Sequence, residues 1–209
     1  MRDILADIFS NAARVKLLRL FVFNRDRVFD VAEASQRINV PVHTVRREIH
    51  SLLAAGFLKQ KRYQKIVTRV ERGKKIKVKR TVTGAILYRE FPHLRAFHAL
   101  LVETLPLRPE ILARTLQKVG RVRAIVVSGL FMDNQESPLD LLVIGNDLEK
   151  GKAERAIHRF ESVLGREIRY AIFSVEEFKY RLDIFDRLVR DVLEYPHKVL
   201  YNKLPLNLD

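Results

Sequence analysis

The chain has 209 residues, 47% of them hydrophobic, and a formal net charge of +14. That length allows two small domains or one large one with real cores, and no run approaches the roughly 18–20 uninterrupted apolar residues of a bilayer span. With no cysteine the chain has no disulfide, no thiol nucleophile and no thiolate metal site. The opening residues, Met-Arg-Asp-Ile-Leu-Ala-Asp, do not form a cationic leader followed by an apolar block, so a cytoplasmic protein is expected.

The charge is concentrated. Residues 1–83 hold 20 Lys and Arg against 7 Asp and Glu, while the remaining residues hold 19 against 18. Between Lys59 and Arg80 there are eleven basic residues and a single acid, Glu71. Such asymmetry fits a first domain built to meet a polyanion.

In chain order, Asn11 is placed to cap a helix running to about Phe23, with Val15, Leu18 and Val22 on one face. A second helix is expected from Asp30, with Asp30 and Glu33 spaced as a capping box, to about Ile38. After Asn39-Val40-Pro41, a third helix is expected from Val42 to Ala55, stopped by Gly56, with Val45, Ile49, Leu52 and Leu53 inward. His43, Thr44, Arg46, Arg47 and His50 then face outward and are the candidates for reading DNA base edges. Ile66, Thr68 and Val70, then Ile76 and Val78, alternate with polar residues around Arg72-Gly73-Lys74, the pattern of a β-hairpin. Lys59, Lys61, Arg62, Lys65, Arg69, Lys74, Lys75, Lys77, Lys79 and Arg80 would decorate this region and are the candidate phosphate contacts.

The stretch from Asn11 to Val82, notably "ARVKLLRLFVFN" and "FDVAEASQRINVPVHTVRREIHSLLAAGFL", resembles the winged helix-turn-helix domains of ArsR-like regulators. The resemblance implies sequence-directed binding to double-stranded DNA, with a homodimer on a palindromic site. Neither cysteines nor clustered histidines stand in this part, so no metal sensing is expected of it.

Residues 84–119 read as a helical connector, with helices expected from His93 to Glu103 and from Pro109 to Val119. Leu94, Phe97, Leu100 and Leu101 form an apolar stripe on the first. From residue 120 onward the pattern is a small α/β unit. Strands are expected at Val122–Val127 and Leu139–Ile144 and around Ile168, Tyr170 and Ile172; a loop is expected at Ser128–Pro138. A helix spans about Leu148 to Leu164, Ser174 to Glu177 is a capping box opening another to Ile184, and a last helix runs to Leu193 before a short Val199–Tyr201 extension.

This half, through "SGLFMDNQESPLDLLVIGNDL" and "GREIRYAIFSVEEFKYRL", resembles the minimal nucleotidyltransferase domains. In that family two aspartates hold Mg²⁺ and a Gly-Ser turn helps hold nucleotide phosphates. Asp140 stands at the second aspartate, Pro138 at the first, and Ser128-Gly129 reverses the turn. The loop from Leu130 to Glu136 carries Asp133 and Glu136 but no Lys or Arg. Ser128, Gly129 and Asp140 are thus a vestigial nucleotide site, with no metal, cofactor or catalytic residue expected.

The fold class expected is α+β: a winged helix domain over 1–83, a connector over 84–119 and a nucleotidyltransferase-like domain over 120–209. The function expected is a DNA-binding transcriptional regulator. The alternatives are a metal-dependent nucleotidyltransferase that uses its winged helix for targeting, and a protein-interaction module. Whether a small molecule is sensed stays open.

Overall fold

The chain opens with helices whose first residues explain where each begins. Asp3 accepts from the amides of Leu5 and Ala6 and starts α1 (Ile4–Ile8). Asn11 caps α2 (Ala12–Phe23) through the amide of Arg14 at 3.0 Å, and Asp30 caps α3 (Val31–Ile38) through the amide of Glu33 at 2.8 Å. Asn39 turns the chain in the left-handed region with φ 50°, which Asn tolerates, and Pro41 leads into α4 (Val42–Ala54). Gly56, at φ 72°, follows the end of α4. The starts of α2, α3 and α4 match the sequence reading to within a residue, whereas α1 was not expected.

The structure, a computed structural model, describes residues 3–71, 74–105, 108–132, 134 and 136–208, with the backbone alone for 69–71 and 74–76. The expected hairpin turn at Arg72-Gly73 lies outside the described residues. The protein is mixed α+β and divides into two units, Met1–Pro106 with Ser162–Arg166, and Leu107–Glu161 with Glu167–Asp209. The boundary between the units falls within the stretch expected as a connector. Its first helix belongs to one unit and its second to the other.

In the first unit α2 is the central helix, with Val15, Leu17, Leu18, Leu20, Phe21 and Val22 all buried. Ala34 and Ile38 of α3 and Val45, Ile49 and Leu52 of α4 pack into the same core, while Leu53 is only half-buried. Burying several such side chains contributes on the order of 2 kcal/mol each. Two charges are buried with them. Arg19 pairs with Asp3 and donates to the Thr104 carbonyl at 3.2 Å; Glu48 accepts from Arg14 at 2.8 Å.

After α4 the chain forms β1 (Leu58–Glu71) and β2 (Lys74–Leu87), antiparallel over fourteen residues each. This ribbon starts at Leu58 and is far longer than the alternation at residues 66–78 implies, because its polar stretches carry no apolar signal. A strand of that length reaches roughly 45 Å. Its root is fixed at Leu58, Ala85 and Leu87, all buried. Phe29 pairs with Ala85 through two backbone hydrogen bonds of 2.9 and 2.8 Å, so the segment before α3 docks on β2. Gly84 makes that docking possible: a Cβ there would stand 2.7 Å from the Phe29 oxygen and 2.8 Å from Val28 Cγ1. Helix α5 (Leu94–Glu103) closes the unit, with Leu101 buried and Leu94 and Phe97 packed against the core.

The second unit begins with α6 (Pro109–Leu116), shorter than expected, and β3 (Arg121–Val127). A 3₁₀ turn over Gly129–Met132 precedes β4 (Leu141–Asn146). Then follow α7 (Lys150–Leu164), β5 (Tyr170–Phe173), α8 (Val175–Asp183), α9 (Arg187–Glu194) and β6 (Lys198–Asn202). The sheet order is β5-β4-β3-β6, with β4 and β5 parallel and the other neighbours antiparallel. The second strand starts two residues later than expected because the amides of Asp140 and Leu141 both donate to the Arg169 carbonyl, at 2.7 and 3.1 Å. Ile168 is buried yet lies before β5, and Tyr170 within it is exposed, so the expected alternation fails there. The 199–201 extension is the edge strand β6. Among the described residues no helix is long and apolar enough to cross a membrane.

Gly84→Ala is expected to push β2 away from Phe29 and destabilise the protein by about 1–3 kcal/mol. Thermal unfolding of the purified variant measures this; an unchanged midpoint would show that the close approach carries no energy.

Candidate nucleic-acid interface

Helical periodicity places His43, Arg46, Arg47 and His50 of α4 in solvent, with Thr44 half-buried beside them. Arg47 remains mostly exposed although its Nε comes within 3.5 Å of Glu48. Glu48 itself is buried under this surface. Burial opposes its ionisation, but hydrogen bonds from Asn11 and Arg14 outweigh that and hold its pKa below the ordinary value. Pro41 offers no side-chain oxygen to the first turn of α4, whose leading amides therefore lack a capping acceptor.

The ribbon does not carry its cations as a single ridge. Strand alternation sends neighbouring residues to opposite faces, and the register sets Arg62, Gln64, Ile66 and Thr68 opposite Thr83, Thr81, Lys79 and Lys77. All of these are exposed, Ile66 to 61%. The other face bears Lys59, Lys61, Tyr63, Lys65 and Val67 opposite Ile86, Gly84, Val82, Arg80 and Val78. Tyr63, Lys65, Val67, Val82 and Ile86 there are half-buried. The candidate phosphate contacts are thus divided between two faces.

Two of those candidates are already occupied. Lys65 Nζ lies 2.5 Å from Asp30 Oδ2 and 3.7 Å from Glu33, and the Tyr63 hydroxyl donates to the same Asp30 oxygen at 3.0 Å. Burial works against the Asp30 carboxylate, but Lys65, the Glu33 amide and Tyr63 together keep its pKa low. Lys59 sits over the ring of Tyr88, its ammonium 3.5 Å from the centroid. Lys61, Arg62, Lys77, Lys79 and Arg80 are exposed and have no acidic partner among the described residues. The side chains of Arg69, Lys74 and Lys75 lie outside the described residues.

Sequence reasoning saw Asp30 only as a helix cap and missed its second task, because Tyr63 and Lys65 are distant in the chain. It also passed over Gln60, Gln64, Thr68, Thr81 and Thr83, exposed hydrogen-bonding side chains among the cations. Their period of two was legible once the strand was extended to Leu58.

In the second unit Asp140 is fully buried and both its oxygens are engaged. Oδ1 accepts from the Leu130 amide at 2.7 Å and Arg169 Nη2 at 2.8 Å; Oδ2 accepts from the Arg169 amide at 2.8 Å and its Nε at 3.2 Å. Burial raises its pKa, but the Arg169 and Leu130 bonds prevail and the value is lowered. Ser128 Oγ donates to the Pro196 carbonyl at 2.8 Å, and a Cβ on Gly129 would stand 2.2 Å from Asp140 Oδ1. The three residues expected as a nucleotide site thus do come together, as an internally bonded corner. Among the described residues no group of three or more His, Asp and Glu is placed to hold a metal ion.

Comparisons with family models, with curated proteins and with solved structures found no match to the chain.

Asp140→Ala would leave the two amides and Arg169 without their acceptor, an expected loss of about 2–4 kcal/mol near pH 7. Because folding lowers the carboxyl pKa, the native protein has this stability in full above the ordinary carboxyl range and loses it as pH falls through the lowered value. Urea unfolding of both proteins across acidic pH should show the gap closing; a gap constant with pH would contradict the assignment.

Proposed function

We propose that the protein is a sequence-specific double-stranded DNA-binding regulator of transcription, acting in the cytoplasm as a homodimer. Its ArsR-like winged helix-turn-helix domain, read over residues 1–83, has α3 and α4 as the helix-turn-helix and the ribbon, which continues to Leu87, as the wing. The observation that carries this reading is the set of cations without acidic partners. Among the described residues it comprises Arg46 on α4, Arg62, Lys77 and Lys79 on one face of the ribbon and Arg80 on the other. The side chains of α4 would read base edges in a major groove while the ribbon follows the phosphates. Uncapped amides at the start of α4 favour a phosphate oxygen nearby.

The second domain is, on this reading, a nucleotidyltransferase-like fold without the metal chemistry and without a cofactor. Supporting it, Pro138 offers no ligand at the first metal position and the Arg169 guanidinium occupies the carboxylate at the second.

Selection of bound genomic fragments by the purified protein tests the reading and supplies the site for titration. Replacing Lys77 and Lys79 with Ala should weaken binding to every duplex and reduce the salt slope by about one per lysine. Lys65→Ala should lower stability and leave that slope unchanged, because Asp30 holds the ammonium. Arg46→Ala should cost about 1–3 kcal/mol on the preferred sequence and little on others. Fluorescence anisotropy at several salt concentrations reads all three. Affinity insensitive to the ribbon lysines would overturn the reading.

A further inference from the structure

The end of α2 and the start of α5 border an open cleft of about 630 Å³ that the DNA-binding assignment does not use. Its polar side is formed by Arg25, Arg89, Arg95 and His98, its apolar side by Phe91 and Leu94. We propose that this cleft is the binding site of a small organic anion, a phosphate or carboxylate joined to an apolar or aromatic body.

The charges are out of balance. Glu90 is the one acid lining the cleft, and its carboxylate already accepts from the Tyr88 hydroxyl at 2.9 Å. Arg89 pairs with Asp26 at the rim. Arg95 has no partner among the described residues, and Arg25 has only the Val22 carbonyl, 3.4 Å from its Nε. His98 stands half-buried and edge-on to Phe23, with ring centroids 6.1 Å apart. Burial first, and the charge of Arg25 second, push its pKa below the ordinary histidine value. The Arg25 guanidinium thus acts on His98 within the cleft, and it has no acidic partner among the described residues. A bound anion would neutralise it, and planar guanidinium forks are suited to paired oxygens.

The size and the floor specify the rest of the ligand. A cleft of this volume lies within the range of small-molecule sites and exceeds what a bare inorganic ion fills. Phe91 and Leu94 offer a surface for a ring or short aliphatic body. The site joins Arg25, after the end of α2, to the stretch from Arg89 to His98, and only the fold brings these two segments together.

Phenyl phosphate, inorganic phosphate and benzyl alcohol separate the requirements when titrated into the full-length protein and followed calorimetrically. Phenyl phosphate is expected to bind saturably at one site per chain. Inorganic phosphate should compete more weakly and benzyl alcohol not at all. Arg25→Ala and Arg95→Ala should each weaken phenyl phosphate binding about tenfold or more, the loss of one charge-assisted contact. Both side chains are exposed, so the variants should melt like the parent. Lys79→Ala, on the ribbon, should bind phenyl phosphate as the parent does. Absence of saturable binding, or an equal loss in Lys79→Ala, overturns the proposal. So does unchanged phenyl phosphate binding in the two arginine variants alongside weakened duplex binding, since the guanidiniums would then serve DNA phosphates. The DNA-binding assignment is read from duplex titration of the Lys77 and Lys79 variants, so it stands or falls separately from phenyl phosphate binding.

Discussion

A two-stranded ribbon has little stability of its own in water, so one that projects for fourteen residues must be held in direction from its base. Here a single carboxylate does much of that holding. Asp30 begins α3, and the same side chain receives the Tyr63 hydroxyl and the Lys65 ammonium from β1. Helix start and strand direction are therefore coupled: the carboxylate whose Oδ1 satisfies an amide at the helix start also fixes, through Oδ2, where the ribbon leaves the helices. The Phe29–Ala85 backbone pairing adds a second point of attachment, and two points define a direction where one allows rotation.

The same coupling explains the surface charge. Four acids of the first unit are drawn inward, Asp3 to Arg19, Glu48 to Arg14, Asp30 to Lys65, and Glu33 to Arg27 and Lys65, while Asp26 pairs with Arg89 in solvent. Each inward acid consumes a nearby cation and leaves the more distant ones without a counter-ion. The residual field on α4 and the outer ribbon is thus a product of how the helices are assembled, and its sign follows from which carboxylates the fold needs for itself.

Much of this was legible in the chain. Asn11, Asp30 and Ser174 mark helix starts because capping is local, and Val45, Ile49 and Leu52 mark a buried face because helical periodicity is local too. The length of the ribbon was not legible, since Lys59 to Gln64 and Lys79 to Thr83 offer only Tyr63 and Val82 as marks of an inner face. Nor could the chain reveal that Lys65 is spent on Asp30 or that Arg169 closes on Asp140. Those pairings span 35 and 29 positions, and only the assembled fold brings them to hydrogen-bond distance. A count of basic residues therefore overstates the cations that remain open to a partner.

Arg169 has a consequence for what this corner of the second unit could become. Placing an aspartate at position 138 would add one carboxylate near another whose oxygens already hold four donors. A divalent ion arriving there would have to displace a guanidinium, and the 3₁₀ turn at Gly129–Met132 would lose the oxygen that Leu130 relies on. Gaining ion coordination here takes both a new carboxylate and the loss of the Arg169 pairing, so no single substitution leads to it.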